Sequence, residues 1–117
     1  MKFYSKSTCI TCKKAKAYLE KKKVTFQEID IVSTPPEKAV LEKLLAAYEK
    51  AGNLKATINT RSAAYKEHLA GKPLPDKATL LKLMVKDANL IKRPVVINTK
   101  GAIQIGFDET EYSQFLK

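Results

Sequence analysis

Two cysteines separated by two residues, in Thr8-Cys9-Ile10-Thr11-Cys12-Lys13-Lys14, stand between a short aromatic segment and a run of helical period. Lys2-Phe3-Tyr4 reads as a buried strand, and Ser5 to Thr8 as a polar turn. From Cys12 to Lys23, Ala15, Tyr18 and Leu19 recur at helical spacing. This predicts a helix starting just before or at Cys12, with Thr8 and Thr11 as capping candidates. Val24 to Ile31 alternates apolar and polar residues, a second strand. The chain thus opens as a βαβ unit with a CxxC at its strand-to-helix junction. That order commits it to an α/β fold.

The remainder completes the same plan. Ser33-Thr34-Pro35-Pro36-Glu37 reads as a helix start with proline at an early helical position. The helix runs through Val40, Leu41, Leu44, Leu45 and Tyr48 to Gly52. Asn53 to Thr60 looks irregular or forms one helical turn, Ser62 to Leu69 is a short helix, and 71–75 is a loop. Asp76 is a natural N-cap for a helix through Leu80, Leu81, Leu83 and Met84 that ends near Asp87. Pro94 to Ile97 and Ala102 to Ile105 are two further strands around a turn at Gly101. Asp108 caps a last helix bearing Tyr112, Phe115 and Leu116. The predicted fold is thioredoxin-like (glutaredoxin-like). It has a small four-stranded mixed sheet flanked by helices, and a helical insertion at about 36–88 between strands 2 and 3. One domain over 1–117 is the expectation, since a chain of 117 residues can bury a core without metal or disulfide staples.

The junction decides what the cysteines can do. Unpaired N–H groups and the dipole at a helix start favour a thiolate at Cys9, and Lys13, Lys14 and Lys16 add positive potential. The two-residue spacing lets Cys12 attack back on a mixed disulfide. Two other readings stand beside this one: half of a metal site shared across a dimer, and inert packing. Structural zinc needs four ligands, whereas the chain offers two cysteines and a distant His68. No resident metal or bound cofactor is therefore expected.

Net charge is +10, yet of the 22 lysines and arginines only Arg61 and Arg93 are arginine. Lysine is the hydrated surface cation, so the bulk charge reads as a solvated face. The planar arginine fork suits oxyanions and carboxylates, which singles out these two positions. No basic motif with interleaved aromatics points to direct nucleic-acid binding. Arg93 precedes Pro94 at the start of an apolar strand, where proline cannot donate a ladder hydrogen bond. A cis Arg93–Pro94 bond is the economical reading; the alternative makes Arg93 a surface cation beside a structural turn. No apolar run approaches the roughly 18 residues of a membrane span. Met1 to Ser5 lacks a signal-peptide apolar region. Cytoplasmic residence is the expectation.

With CITC, Asn59-Thr60-Arg61-Ser62, Leu90-Ile91-Lys92-Arg93-Pro94 and Gly101 through Gly106-Phe107 in this order, the chain resembles the arsenate-reductase-like family. That family comprises glutaredoxin-linked arsenate reductases, Spx-type transcriptional regulators and small uncharacterised reductase-like proteins, and the likeness spans essentially the whole chain. It implies a catalytic cysteine at Cys9, a resolving cysteine at Cys12, anion-binding roles for Arg61 and Arg93, and donors at Thr8 and Thr11. It also implies that Pro94 faces the CxxC as a backbone platform for substrate. Segment 101–107 has no arginine where the arsenate reductases carry a third, and Cys12 is additional to their usual single cysteine. The resemblance therefore implies a thiol–disulfide oxidoreductase acting on an organic thiol or oxyanion substrate, with an organic disulfide preferred over arsenate. Glutathione, glutaredoxin or thioredoxin would be the reductant and the protein a monomer. The alternative it implies is an Spx-type redox switch that binds the C-terminal domain of the RNA polymerase α subunit.

Overall fold

The computed structural model describes residues 1–116. In chain order the elements are β1 (Lys2–Ser5), α1 (Ile10–Lys21), β2 (Gln27–Asp30), α2 (Lys38–Lys50), a 3-10 turn (Leu54–Thr57), α3 (Ala63–His68), α4 (Lys77–Lys86), a second 3-10 turn (Ala88–Leu90), β3 (Val95–Ile97), β4 (Ile103–Ile105) and α5 (Glu109–Phe115). They fall into a sheet unit, Met1–Thr34 with the segment from Arg93 onward, and a helical unit, Pro35–Lys92. The helical unit extends slightly beyond the predicted insertion at both ends.

In the sheet unit the strand order is β2-β1-β3-β4. β1 runs parallel to β2 and antiparallel to β3, which pairs antiparallel with β4. The predicted four-stranded mixed sheet is therefore the observed one. Phe3 and Val96 are register partners; with Ala15 and Leu19 of α1 and Tyr112 of α5 they form a buried cluster ringed by Phe26 and Phe107. Side chains alternate across a strand, so Tyr4, Val95 and Ile105, themselves in register and buried, face the other way.

α1 stops because the chain turns left-handed at Lys23, φ 58. Lys23 N–H donates to Glu20 O and Val24 N–H to Leu19 O, both at 3.0 Å, closing the orphan carbonyls. α2 ends the same way at Gly52, φ 73, where glycine adopts the geometry without the steric penalty that lysine carries.

The helical unit forms around Leu41, Leu44 and Leu45 of α2, one helical stripe, packed against α4, which buries Leu80, Leu81 and Met84. An antiparallel bridge joins Ile58 to Ile91, flanked by Asn59 N–H to Leu90 O at 2.8 Å and Lys92 N–H to Thr57 O at 2.9 Å. Asp76 caps α4 and Asp108 caps α5 as read from sequence. Two readings are corrected. Pro35 and Pro36 precede the α2 cap, Glu37, and do not enter the helix. β2 is confined to Gln27–Asp30, because the Val24 end closes α1 and Ile31 lies past the strand.

Candidate functional site

The turn between β1 and α1 positions both sulfurs. Cys9 N–H donates to Lys6 O at 2.9 Å, tightening the turn, and Lys13 N–H donates to Cys9 O at 3.2 Å. Cys9 is the N-cap residue of α1, with extended backbone (φ −87, ψ 116), and its Sγ accepts from Cys12 N–H at 3.2 Å. The helix therefore begins at Ile10, and the cap is the cysteine itself, which replaces Thr8 and Thr11 in that role. Both threonines are exposed. The cap bond fixes the Cys9 sulfur at the N-terminus of α1.

Cys12 differs sharply from its partner. It points into the unit at 3% exposure, whereas Cys9 is half-buried, and both are free thiols. Burial, then the hydrogen bond to the Cys9 sulfur and the charge of Cys9, push the Cys12 thiol up to about 12; a Lys6 backbone hydrogen bond and the Arg93 charge pull the other way. Cys12 thus waits as a protonated thiol beside an accessible partner. The native fold holds this proton more firmly than an unfolded thiol with its ordinary value of 9.0. Its contribution to stability is whole below pH 9.0 and is lost as pH rises towards about 12. Urea titrations are expected to show wild type losing stability more steeply than Cys12→Ala through that window. Parallel curves would contradict this.

The Arg93–Pro94 bond is cis, as the sequence predicted. Pro94 is buried, and its carbonyl accepts from Gly106 N–H at 2.8 Å. Gly106 O in turn accepts the buried Tyr112 hydroxyl at 2.7 Å. This chain of contacts, α5 to the β4 end to Pro94, was not visible in the sequence, where Tyr112 showed only as an apolar helix position. Arg93 is half-buried, and its Nη1 is buried without a hydrogen-bond acceptor. A guanidinium N–H in that state is what an anion would satisfy. The Arg93 charge is felt at Cys12 and also at Asp30. N–H groups of Ser33 and Val32, first among the causes, hold Asp30 below the usual carboxylate range.

Arg61, the other predicted anion ligand, belongs to the helical unit and is exposed, its N–H donating to Asn59 Oδ1 at 3.3 Å. Among the described residues, the sheet unit therefore presents Arg93 as its arginine beside the cysteines. Ile10, between them, was passed over in the sequence; it stands 71% exposed. No helix among the described residues is long and apolar enough to cross a membrane, and none of their His, Cys, Asp or Glu side chains form a group of three that could hold a metal ion.

Comparison with known proteins agrees with this architecture. The global transcriptional regulator Spx of Streptococcus pneumoniae is 35% identical over 109 residues, covering 93% of this chain and 80% of the regulator. A possible arsenate reductase from Streptococcus mutans, 31% identical, superposes with a TM-score of 0.73 over 91% of this chain and 89% of its own. An ArsC family related protein from Bacteroides fragilis, 26% identical, gives 0.79 over 97% and 94%. The model of the ArsC family matches residues 4–115. The chain belongs to the ArsC family.

Proposed function

We propose that the protein is a thiol–disulfide oxidoreductase that reduces organic disulfides through Cys9. The observation carrying this reading is the asymmetry of the pair: an accessible Cys9 capping α1 and a buried, protonated Cys12 within reach of it. Cys9 thiolate attacks a substrate sulfur, the substrate S–S bond breaks, and one thiolate leaves with a proton from solvent. The resulting mixed disulfide removes the Cys9 charge and its sulfur as hydrogen-bond acceptor, two of the causes that hold Cys12 protonated. Cys12 then loses its proton more readily and attacks Cys9, releasing the second substrate thiol and leaving a Cys9–Cys12 disulfide. Both electrons come from the two sulfurs, so no bound cofactor is required. Glutathione, glutaredoxin or thioredoxin restores the dithiol.

Arg93, with its unmet Nη1 donor, holds an anionic group of the substrate such as a glutathione carboxylate or an oxyanion. Thr8 and Thr11 supply donors at the rim, and Pro94 forms the backbone platform. With no arginine in 101–107, an organic disulfide is preferred to arsenate. The protein acts as a cytoplasmic monomer with one domain, without direct contact to nucleic acid.

The similarity to Spx regulators favours a second reading, a redox switch that binds the RNA polymerase α C-terminal domain. Two assays separate the readings: reduction of hydroxyethyl disulfide with glutathione and glutathione reductase but no added glutaredoxin, measured above the rate without the protein, and capture by the α C-terminal domain under oxidising and reducing conditions. Turnover without capture is the expected outcome. Capture that tracks the disulfide, without turnover, would replace the first reading by the second.

A further inference from the structure

Resting on the reading of Cys9 as the exchanging sulfur, we propose that the exposed stripe of α1 is a docking groove for a polypeptide partner with an apolar, acid-flanked segment. This partner is the protein whose sulfur meets Cys9. Ile10, Lys14, Ala17, Tyr18 and Lys21 are spaced 4, 3, 1 and 3 residues apart, the stagger of one helix face. The stripe starts at Ile10, which adjoins Cys9 and is 71% exposed.

Farther along, Lys14, Ala17, Tyr18 and Lys21 form one wall of a groove of about 330 Å³ completed by Phe107 and Glu109. Its floor is aromatic: the Tyr18 and Phe107 rings lie 5.7 Å apart, and Lys22 Nζ lies 5.6 Å from the Tyr18 ring centre. Its rim is cationic at Lys14 and Lys21, with Lys13 and Lys22 exposed beside them. Glu109 is the acid of the lining and rejects a second carboxylate at that edge. Among the described residues neither Lys14 nor Lys21 forms an ion pair, whereas Lys16 of α1 pairs with Glu28 at 3.1 Å.

An apolar floor between unpaired cations is complementary to a segment bearing an aliphatic or aromatic anchor between carboxylates. A small inorganic oxyanion would need neither Ile10 nor the groove. A protein surface spanning both would bring its cysteine to the N-terminus of α1 while its anchor lay against Tyr18 and Phe107.

The docking is read without chemistry, by fluorescence anisotropy on the full chain carrying Cys9→Ser and Cys12→Ser. The probes are two labelled, cysteine-free peptides, one with leucines flanked by glutamates and one with lysines in place of the glutamates. The acidic probe is expected to bind at least ~10-fold tighter at low salt, with the preference lost at ~0.5 M salt. Adding Lys14→Glu and Lys21→Glu, both on the exposed face, is expected to abolish or invert the preference. Equal binding of the two probes, binding of neither, or a preference surviving the double charge reversal would overturn the proposal. Hydroxyethyl disulfide turnover by the protein with both cysteines intact is expected to be unchanged by Lys21→Glu alone, at the far end of α1 from Cys9. Probe preference without any such turnover would reject the oxidoreductase reading and leave the groove standing; turnover without probe preference would reject the groove alone.

Discussion

Cys9→Ser is expected to lower hydroxyethyl disulfide reduction by about 1,000-fold or more, because a serine hydroxyl neither ionises near neutral pH nor forms a disulfide. The same change is expected to leave the fold intact. Cys9 caps α1 by accepting from Cys12 N–H, and serine ranks among the better N-cap residues. Loss of activity with an unchanged urea midpoint therefore isolates chemistry from structure. Retained turnover would remove Cys9 from the mechanism.

Tyr112→Ala is expected to have the largest effect on stability. The residue is fully buried in the cluster with Phe3, Ala15, Leu19 and Val96, its ring meets Phe107 at 5.0 Å, and its hydroxyl reaches Gly106 O at 2.7 Å. Emptying such a site costs about 3–5 kcal/mol. Tyr112→Phe keeps the ring and is expected to cost about 1–3 kcal/mol, since the buried Gly106 carbonyl loses that donor. Urea titration of both variants checks the order. Gly106 N–H also holds the Pro94 carbonyl at 2.8 Å, so Tyr112→Phe is further expected to weaken substrate binding at Pro94 more than it slows the Cys9 step. A Tyr112→Phe variant as stable as wild type would show that the hydroxyl bond contributes nothing.

The elements and their order were legible because the chain is locally consistent: helical stripes such as Leu41, Leu44 and Leu45, caps such as Asp76 and Asp108, and the Arg93-Pro94 pair all announce themselves over a few residues. The cap of α1 was misassigned for a physical reason. Threonine is the commoner cap, and cysteine fills the position here because the cap bond also serves the sulfur. β2 came out shorter than its alternation because residues at the Val24 end are used to close α1 at Lys23, a left-handed turn that lysine does not signal. The asymmetry of Cys9 and Cys12 was likewise hidden, since it depends on which sulfur faces the core. Tyr112 disclosed its burial through spacing, but its partner Gly106 lies across the β4–α5 turn and is fixed only by the folded backbone.

The most direct test is to trap the mixed disulfide by reacting Cys12→Ser with glutathione disulfide and mapping the product by mass spectrometry. A stable glutathione adduct on Cys9 is predicted, whereas wild type passes on to the Cys9–Cys12 disulfide with release of glutathione. An adduct on Cys12 in Cys9→Ser forming as fast, or one that accumulates on wild type without resolution, would contradict the assignment of nucleophile and resolving cysteine.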